Sequence, residues 1–219
     1  MTQALSREIP LMPSQSALLF IDVQNFSANK KGAEFRDLPE AEFQAKYGWY
    51  FRELSARVVP NMRRLQAAFR KAKVEVLYTT IESLTKDGRD RSLDYKITGF
   101  NVPKGSWDGK VIDELAPGDD EICLPKSSSS VFVSTHIDYL LRNLGVKQLV
   151  ISGLITDQCV ESAIRDACDL GYLVTLVPDA CATYSQERHD NTLRAIKGYC
   201  RQVSTEALIT EIGAAARAA

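Results

Sequence analysis

The chain has 219 residues, of which 45% are hydrophobic and 25% are charged, and its formal net charge is −1. This length and apolar content suffice to bury one core, so we expect a single domain over residues 1–219. The charge balance gives no support to nucleic acid or an anionic membrane as a partner. Segment 1–16 lacks a long apolar core and the apolar runs are short, so we expect neither a signal peptide nor a membrane-spanning helix.

The cysteines and histidines limit the kinds of site that the chain can build. Five cysteines are scattered without a CxxC pair, and only two histidines occur, His136 and His189. This pattern favours neither a disulfide framework nor a zinc site, so we expect no metal, no other cofactor and a reducing, cytoplasmic location. We expect both histidines at the surface. Four cysteines are interpreted as packing residues: Cys123, Cys168, Cys181 and Cys200.

The order of the predicted elements indicates an α/β fold. Apolar runs predict strands at 17–23, 74–80, 121–125, 147–153, 172–180 and 199–204. Helical spacing and capping signals predict helices from about Pro39 to 58 and at 59–71, 134–145, 156–171, 185–198 and 205–218. Strands that alternate with helices predict a three-layer α-β-α arrangement, with a mostly parallel six-stranded sheet and helices on both faces.

Three chemically reactive residues follow predicted strands. Asp22 ends the first strand, Lys126 follows the third, and Cys159 follows the fourth through a short polar turn. Ligands of open parallel sheets bind outside the carboxyl ends of the strands, where these side chains are expected to meet. If Thr156 caps the next helix, Cys159 stands at its third position, where the helix dipole should lower the pKa of the thiol. A carboxylate and an ammonium beside that thiol would complete a nucleophilic site.

Taken singly, each of these residues also has an ordinary interpretation. Asp22 can cap a loop or helix, Lys126 can face solvent, and Cys159 can be a half-buried packing residue. Together, however, the segments around them resemble the isochorismatase-like family of cysteine hydrolases over about residues 16–204. The segments that carry the resemblance are "LLFIDVQN", "LPKSSSSVF", "LVISGLITDQCVESAIRDA" and "GYLVTLVPDACATY".

The resemblance implies a Rossmann-like fold and specific roles for several residues. Carried over position by position, the catalytic set is Asp22, Lys126 and Cys159. The backbone amides of Ile155 and Cys159 would form the oxyanion hole, next to a cis peptide bond between Leu154 and Ile155. The resemblance also implies a homo-oligomer, a dimer or a tetramer, and the aromatic-rich helix around 43–51 is a candidate for its interface.

The implied activity is hydrolysis of a C–N bond in a small amide, carbamoyl or ureido compound through a cysteine thioester, which releases ammonia or an amine. The segment "YTTIESLTKDGRDRS" has no histidine, which speaks against the metal site of nicotinamide-hydrolysing relatives. Two alternatives remain open: a vinyl-ether hydrolase of the isochorismatase type, and a catalytically silent binding protein of the same fold. A flavodoxin-like carrier is disfavoured, since no glycine loop for phosphate follows the first strand.

Further residues are candidates for substrate contact. Gln24 and Asn25 follow Asp22 directly, and Glu82 stands just beyond the second strand. The long segment 82–110 is charged and rich in turn residues, and its aromatic residues favour a loop packed over the site. The other candidates are Trp107 and Tyr184 as pocket walls, with core packing as the alternative, and Arg89 and Arg91 as partners of a substrate carboxylate, with solvation as the alternative.

Overall fold

The structure, a computed structural model, describes residues 6–218, so the start of the N-terminal segment 1–16 lies outside the described residues. Its sheet contains β1 (Ser16–Ile21), β2 (Glu75–Ile81), β3 (Ile122–Lys126), β4 (Gln148–Leu154), β5 (Leu173–Ala182) and β6 (Arg201–Gln202). The strand order is β3-β2-β1-β4-β5-β6, and every pairing within the sheet is parallel. The prediction of a six-stranded sheet is therefore confirmed, and in the described residues it is wholly parallel.

Helices cover both faces of the sheet. They are α1 (Asn25–Ala28), α2 (Glu40–Glu53), α3 (Val59–Lys71), α4 (Leu93–Thr98), α5 (Val131–Ser134), α6 (Ile137–Asn143), α7 (Glu161–Asp169), α8 (Gln186–Ala195) and α9 (Thr205–Ala218). A π-helical segment, Leu54–Val58, joins α2 to α3, so the two predicted helices form one continuous run. Within residues 6–218, no helix is long and apolar enough to span a membrane.

The alternation of side chains along β1 explains the three layers. All six residues of β1 are buried, because successive side chains point to opposite faces and both faces are covered. Leu18 and Phe20 belong to the core beneath α2, α3 and α9. Leu19 and Ile21 belong to the second core, beneath α6 and α7.

The centre of the sheet brings together segments that are distant in the sequence. The pairing of β1 with β4 places Ile21 opposite Gly153. Gly153 has a φ of 148°, and a Cβ atom there would lie 2.3 Å from the carbonyl oxygen of Ile21. The chain therefore needs glycine at this position. Connections leave β1 and β4 in opposite directions along the sheet, which makes their carboxyl ends the switch point where ligands of such folds bind.

Three expectations about buried and exposed residues are wrong. Cys123 is exposed, because it lies on edge strand β3 and points away from the core. His189 is 5% exposed rather than at the surface, and its Nδ1 lies 3.0 Å from the Thr156 hydroxyl oxygen. The aromatic face of α2 packs inside the chain, around Phe35 and Tyr184, so it does not form an exposed interface. His136 is exposed as expected, Cys168 is half-buried, and Cys181 and Cys200 are buried.

Candidate active site

Three groups from three strand ends meet at the switch point. Asp22 follows β1, Lys126 is the last residue of β3, and Cys159 lies in the π-helical turn Thr156–Val160 after β4. The Nζ atom of Lys126 lies 2.8 Å from Oδ2 of Asp22 and 3.3 Å from Sγ of Cys159. All three residues are buried, with exposed fractions of 4% or less. The ammonium therefore links the carboxylate to the thiol in a dry environment.

Asp22 is held rigidly at the end of β1. Its φ of 51° lies in the left-handed region, which turns the side chain toward the neighbouring strands. Its N–H donates to the carbonyl oxygen of Thr79 at 3.0 Å, and the Thr79 hydroxyl donates to Oδ1 at 2.9 Å. One carboxylate oxygen is thus occupied by Thr79, and the other faces Lys126.

Lys126 is fixed by further contacts that leave its ammonium charged. Besides Asp22 and Cys159, its Nζ donates to the Ser128 carbonyl at 2.8 Å and to the Tyr95 hydroxyl at 3.3 Å. Burial by itself would lower the pKa of this ammonium, but the charge of Asp22 and the Cys159 group raise that pKa above its usual value. A charged lysine can therefore persist here without solvent.

The state of the thiol differs from the sequence-based expectation. The turn begins at Thr156 with Ile155 as its N-cap, one residue earlier than expected. Burial raises the pKa of the Cys159 thiol to about 11, although the Lys126 ammonium opposes that rise. The expected lowering of the pKa is wrong for the resting site, because loss of water outweighs the favourable charge. Cys159 is consequently a protonated thiol at neutral pH and needs a base for activation.

A small cavity opens onto these groups. Its volume is about 10 Å³, room for about one water molecule, so a substrate enters only if the side chains that line it move apart. The Leu154–Ile155 peptide bond beside it is cis, as the family resemblance implies. The residues that line the cavity are Asp22, Phe26, Ser27, Glu34, Ile81, Phe100, Leu154, Ile155, Gln158, Cys159 and Tyr184.

Two of the predicted substrate contacts have other roles in the structure. Gln24 is fully buried, and its amide accepts from Ile81 N–H and donates to the carbonyl oxygens of Ile81 and Asp108. The prediction that Gln24 binds substrate is wrong, because this pairing with backbone groups fixes loop 82–110 to the sheet. Glu82 lines a separate surface cavity with Thr80 and Lys110, so its prediction is also wrong. Side chains alternate along β2, which turns Thr79 and Ile81 toward the site and Thr80 and Glu82 away from it.

Of the remaining candidates, Tyr184 lines the cavity, whereas Asn25 and Trp107 lie outside it. The Asn25 amide donates to the Trp107 carbonyl at 3.0 Å, and Trp107 is 45% exposed. Neither residue lines the cavity, whereas Tyr184 does, and its hydroxyl donates to Oε1 of Glu34.

The two arginines of the loop are occupied elsewhere. Arg89 is exposed and pairs with Asp87 at 3.0 Å. The Arg91 guanidinium donates to the backbone carbonyls of Gly88, at 2.8 Å, and Phe100, at 2.6 Å. Neither side chain lines the cavity.

Three further residues of the site were not predicted from the sequence. Thr79 orients Asp22, and Tyr95 places its hydroxyl 3.6 Å from Sγ of Cys159. Glu34 contributes a carboxylate to the cavity wall. Thr79 could have been found from its strand position, but Glu34 lies in an irregular segment and Tyr95 in the six-residue helix α4, which is too short for periodicity to reveal. Within residues 6–218, the site included, no group of three or more His, Cys, Asp or Glu side chains is arranged to hold a metal ion.

Comparison with known proteins agrees with this geometry. Residues 16–207 match the family model described as "Isochorismatase domain". The ureidoacrylate amidohydrolase RutB of Pantoea ananatis is 31% identical over 188 residues, which are 78% of this chain and 71% of that protein. RutB of Agrobacterium fabrum is 26% identical over 230 residues, which are 93% of this chain and 96% of that protein. A cysteine hydrolase structure from Pseudomonas syringae pv. phaseolicola superposes with a TM-score of 0.81 and 24% identity, over 98% of this chain and 100% of that one.

Proposed function

Because this chain belongs to the isochorismatase family, we propose that it is a cysteine hydrolase that cleaves a C–N bond of a small ureido, carbamoyl or amide compound. The relatives called ureidoacrylate amidohydrolase support the C–N specificity. The observation that carries the proposal is the contact of one buried ammonium with both a carboxylate and a thiol, at 2.8 and 3.3 Å. Nucleophile and base within such reach are what thiol catalysis requires.

The first half of the reaction forms a covalent intermediate. Asp22 removes the proton of the Cys159 thiol as the substrate displaces remaining water, and Sγ attacks the carbonyl carbon. Lys126 stabilises the developing thiolate, since its charge lies 3.3 Å from the sulfur. The amides of Ile155 and Cys159 receive the oxyanion, and removal of one such donor typically costs about 3–4 kcal/mol of activation free energy.

The second half returns the enzyme to its resting state. Protonated Asp22 donates its proton to the leaving nitrogen, the C–N bond breaks, and ammonia or an amine departs. A thioester on Cys159 remains. Water then attacks the thioester carbon while Asp22 takes a proton from it, and Cys159 leaves as a thiol once the proton returns to sulfur. Asp22 therefore acts as base and acid in the first half of the cycle and as base and acid again in the second.

The raised pKa of Cys159 fits this sequence of steps. A thiol with a pKa of about 11 is almost wholly protonated at neutral pH, so it does not react with solutes before a substrate arrives. Activation depends on Asp22, whose Oδ2 faces the same ammonium. Lys126 holds the carboxylate in position to accept the proton.

The test is a panel of ureido acids, including ureidoacrylate, together with neutral ureas and simple amides, assayed for release of ammonia or amine. A vinyl ether serves as the negative control for ether cleavage. Cys159→Ala and Cys159→Ser should abolish turnover and keep the wild-type circular dichroism spectrum, while Cys123→Ser, which removes an exposed thiol, should retain full activity. Acid quenching should trap an acylated Cys159 for mass spectrometry. Full activity of Cys159→Ala would contradict the proposal.

We also propose a cytoplasmic location and a homo-oligomeric state. The five cysteines are all free, and a reducing compartment keeps thiols in that form. The oligomeric state follows from the family resemblance, and the aromatic face of α2 is excluded as its interface because it is buried within the chain. Sedimentation velocity at several concentrations measures the state directly, and a monomer at all of them would refute this part.

A further inference from the structure

The charge of the cavity wall differs from what an acidic substrate requires. Among the lining residues in the described part of the chain, none is a lysine, an arginine or a histidine. The charged or chargeable groups that face the space are Asp22, Glu34 and the Cys159 thiol. Lys126 is completely buried behind Asp22 and Cys159, with its contacts used by the catalytic groups and by Ser128. A substrate carboxylate would therefore meet acidic groups and no free cation.

Nearby cations are committed to other partners. The Arg91 guanidinium donates hydrogen bonds to the backbone carbonyls of Gly88 and Phe100, within loop 82–110. Arg188 stacks on the ring of Tyr184, but its guanidinium pairs with Asp157 at 2.6 Å. The guanidinium groups of Arg91 and Arg188 are thus already paired, and neither residue lines the space.

Glu34 places a carboxyl group in the cavity wall. The Tyr184 hydroxyl donates to Oε1, and within residues 6–218 no other hydrogen bond reaches this carboxyl group. Its second oxygen can accept a hydrogen bond from a ligand N–H. Burial raises the pKa of Glu34 to about 7, with the Tyr184 hydrogen bond opposing the rise, so the group is largely ionised in mildly alkaline solution.

The rest of the wall is apolar. Phe26, Phe100, Ile81 and Ile155 surround the space next to Cys159. Apolar walls bind hydrocarbon substituents, and they strengthen repulsion between like charges because little water screens them. Burying a carboxylate between such walls is unfavourable beside Glu34, whose hydrogen-bond partner is the neutral Tyr184 hydroxyl and not a cation.

We infer that this cavity selects ureido or amide substrates whose uncleaved substituent is uncharged, with Glu34 as the residue that rejects a substrate carboxylate. The inference rests on the proposed C–N hydrolase function and narrows it. It also separates this chain from relatives named for ureidoacrylate, which is an acid. Glu34 accepts from an N–H of the ureido or amide group, and the apolar wall receives the substituent.

The experiment compares two ureas of the same shape, 3-ureidopropanoate and isopentylurea, in which two methyl groups replace the carboxylate oxygens. At about pH 8, where Glu34 is ionised, wild-type kcat/KM should be at least roughly tenfold higher for isopentylurea. Glu34→Gln should narrow that ratio at least about threefold, chiefly by lowering KM for the acid. Glu114→Gln changes net charge equally at an exposed site and should leave the ratio unchanged.

Binding to Cys159→Ala, measured by calorimetry, separates this inference from the function that it narrows. If wild type hydrolyses none of the ureido acids, ureas and amides of the panel but Cys159→Ala binds isopentylurea more tightly than the acid, the proposed function fails and the selectivity stands. Equal or better hydrolysis of the acid by wild type overturns the selectivity and leaves the hydrolase function in place. An unchanged ratio in Glu34→Gln, or no binding of either urea, also overturns it.

Discussion

Replacement of Lys126 by methionine tests how strongly the buried ammonium supports the site. Lys126 and Asp22 are 0% and 2% exposed at their side chains, and their charged atoms are 2.8 Å apart. With an effective dielectric constant of about 20, Coulomb's law gives an attraction of about 6 kcal/mol at that distance. Desolvation of the two groups offsets part of this, but the variant leaves Asp22 as a buried, uncompensated carboxylate. We therefore expect Lys126→Met to lower the free energy of unfolding by about 3–5 kcal/mol.

The assay is urea unfolding followed by circular dichroism, with the free energy obtained by linear extrapolation. The double variant Asp22→Asn/Lys126→Met removes both charges and should recover most of the lost stability, because a neutral pair no longer carries a buried charge. Lys46→Met is the matched control: Lys46 pairs with Glu42 at 2.7 Å in a solvent-exposed helix position, and its loss should change stability little.

Two results would refute this reasoning. A loss below about 1 kcal/mol in Lys126→Met would mean that the pair behaves like a surface salt bridge. A double variant no more stable than Lys126→Met would mean that the loss comes from the lysine side chain's packing and not from the orphaned charge of Asp22.

Two further predictions concern the thiol and the centre of the sheet. Burial raises the pKa of the Cys159 thiol in the folded chain to about 11, so its proton stabilises the fold below the unfolded value of about 8.5, and this contribution is lost as pH rises through 11. Because the thiolate is the reactive form, the rate of iodoacetamide alkylation, with the rate of Cys159→Ala subtracted, should climb toward that pH and not level off near neutrality. Gly153→Ala places a Cβ atom 2.3 Å from the Ile21 carbonyl oxygen and should lower the free energy of unfolding by at least about 3 kcal/mol, measured by thermal unfolding. The control is Gly198→Ala, whose Cβ atom meets nothing within 4 Å and should leave stability nearly unchanged. Equal melting temperatures for the two variants would contradict this prediction.

The sheet and the catalytic cluster could be predicted from the sequence for a common reason. Strands such as β1 are buried on both faces and are therefore continuous apolar runs, and the carboxyl ends of parallel strands meet at one edge. Asp22, Lys126 and Cys159 stand at three such ends, so their approach follows from the fold class. The family resemblance then supplied the role of each residue.

The parts that were missed depend on contacts between distant segments. Glu34 reaches the cavity from a loop, and Tyr95 reaches Cys159 from the short helix α4; the path of both segments is set by tertiary packing and leaves little periodic signal. The error at Glu82 came from ignoring the alternation of side chains along β2, which turns that residue to the other side. His189 is buried because α8 packs against the turn that carries Thr156, a contact that the sequence of α8 alone does not encode.

The expectation for the thiol failed for a different physical reason. Position near a helix start favours the thiolate, and this effect can be estimated from sequence. The depth of burial cannot, and it raises the pKa of Cys159 more than Lys126 lowers it. The position of the proposed nucleophile could therefore be predicted from the sequence, but its resting protonation state could not.

The pairing of β1 with β4 has a consequence for when activity can arise during synthesis of the chain. Ile21 and Gly153 lie side by side in the sheet, yet most of the polypeptide separates them. A growing chain on the ribosome carries the acid and the ammonium well before the sulfur is synthesised, and long-range pairing of this kind is slow to form. A nascent chain that ends before residue 159 lacks the thiol, so under the proposed mechanism it releases no ammonia.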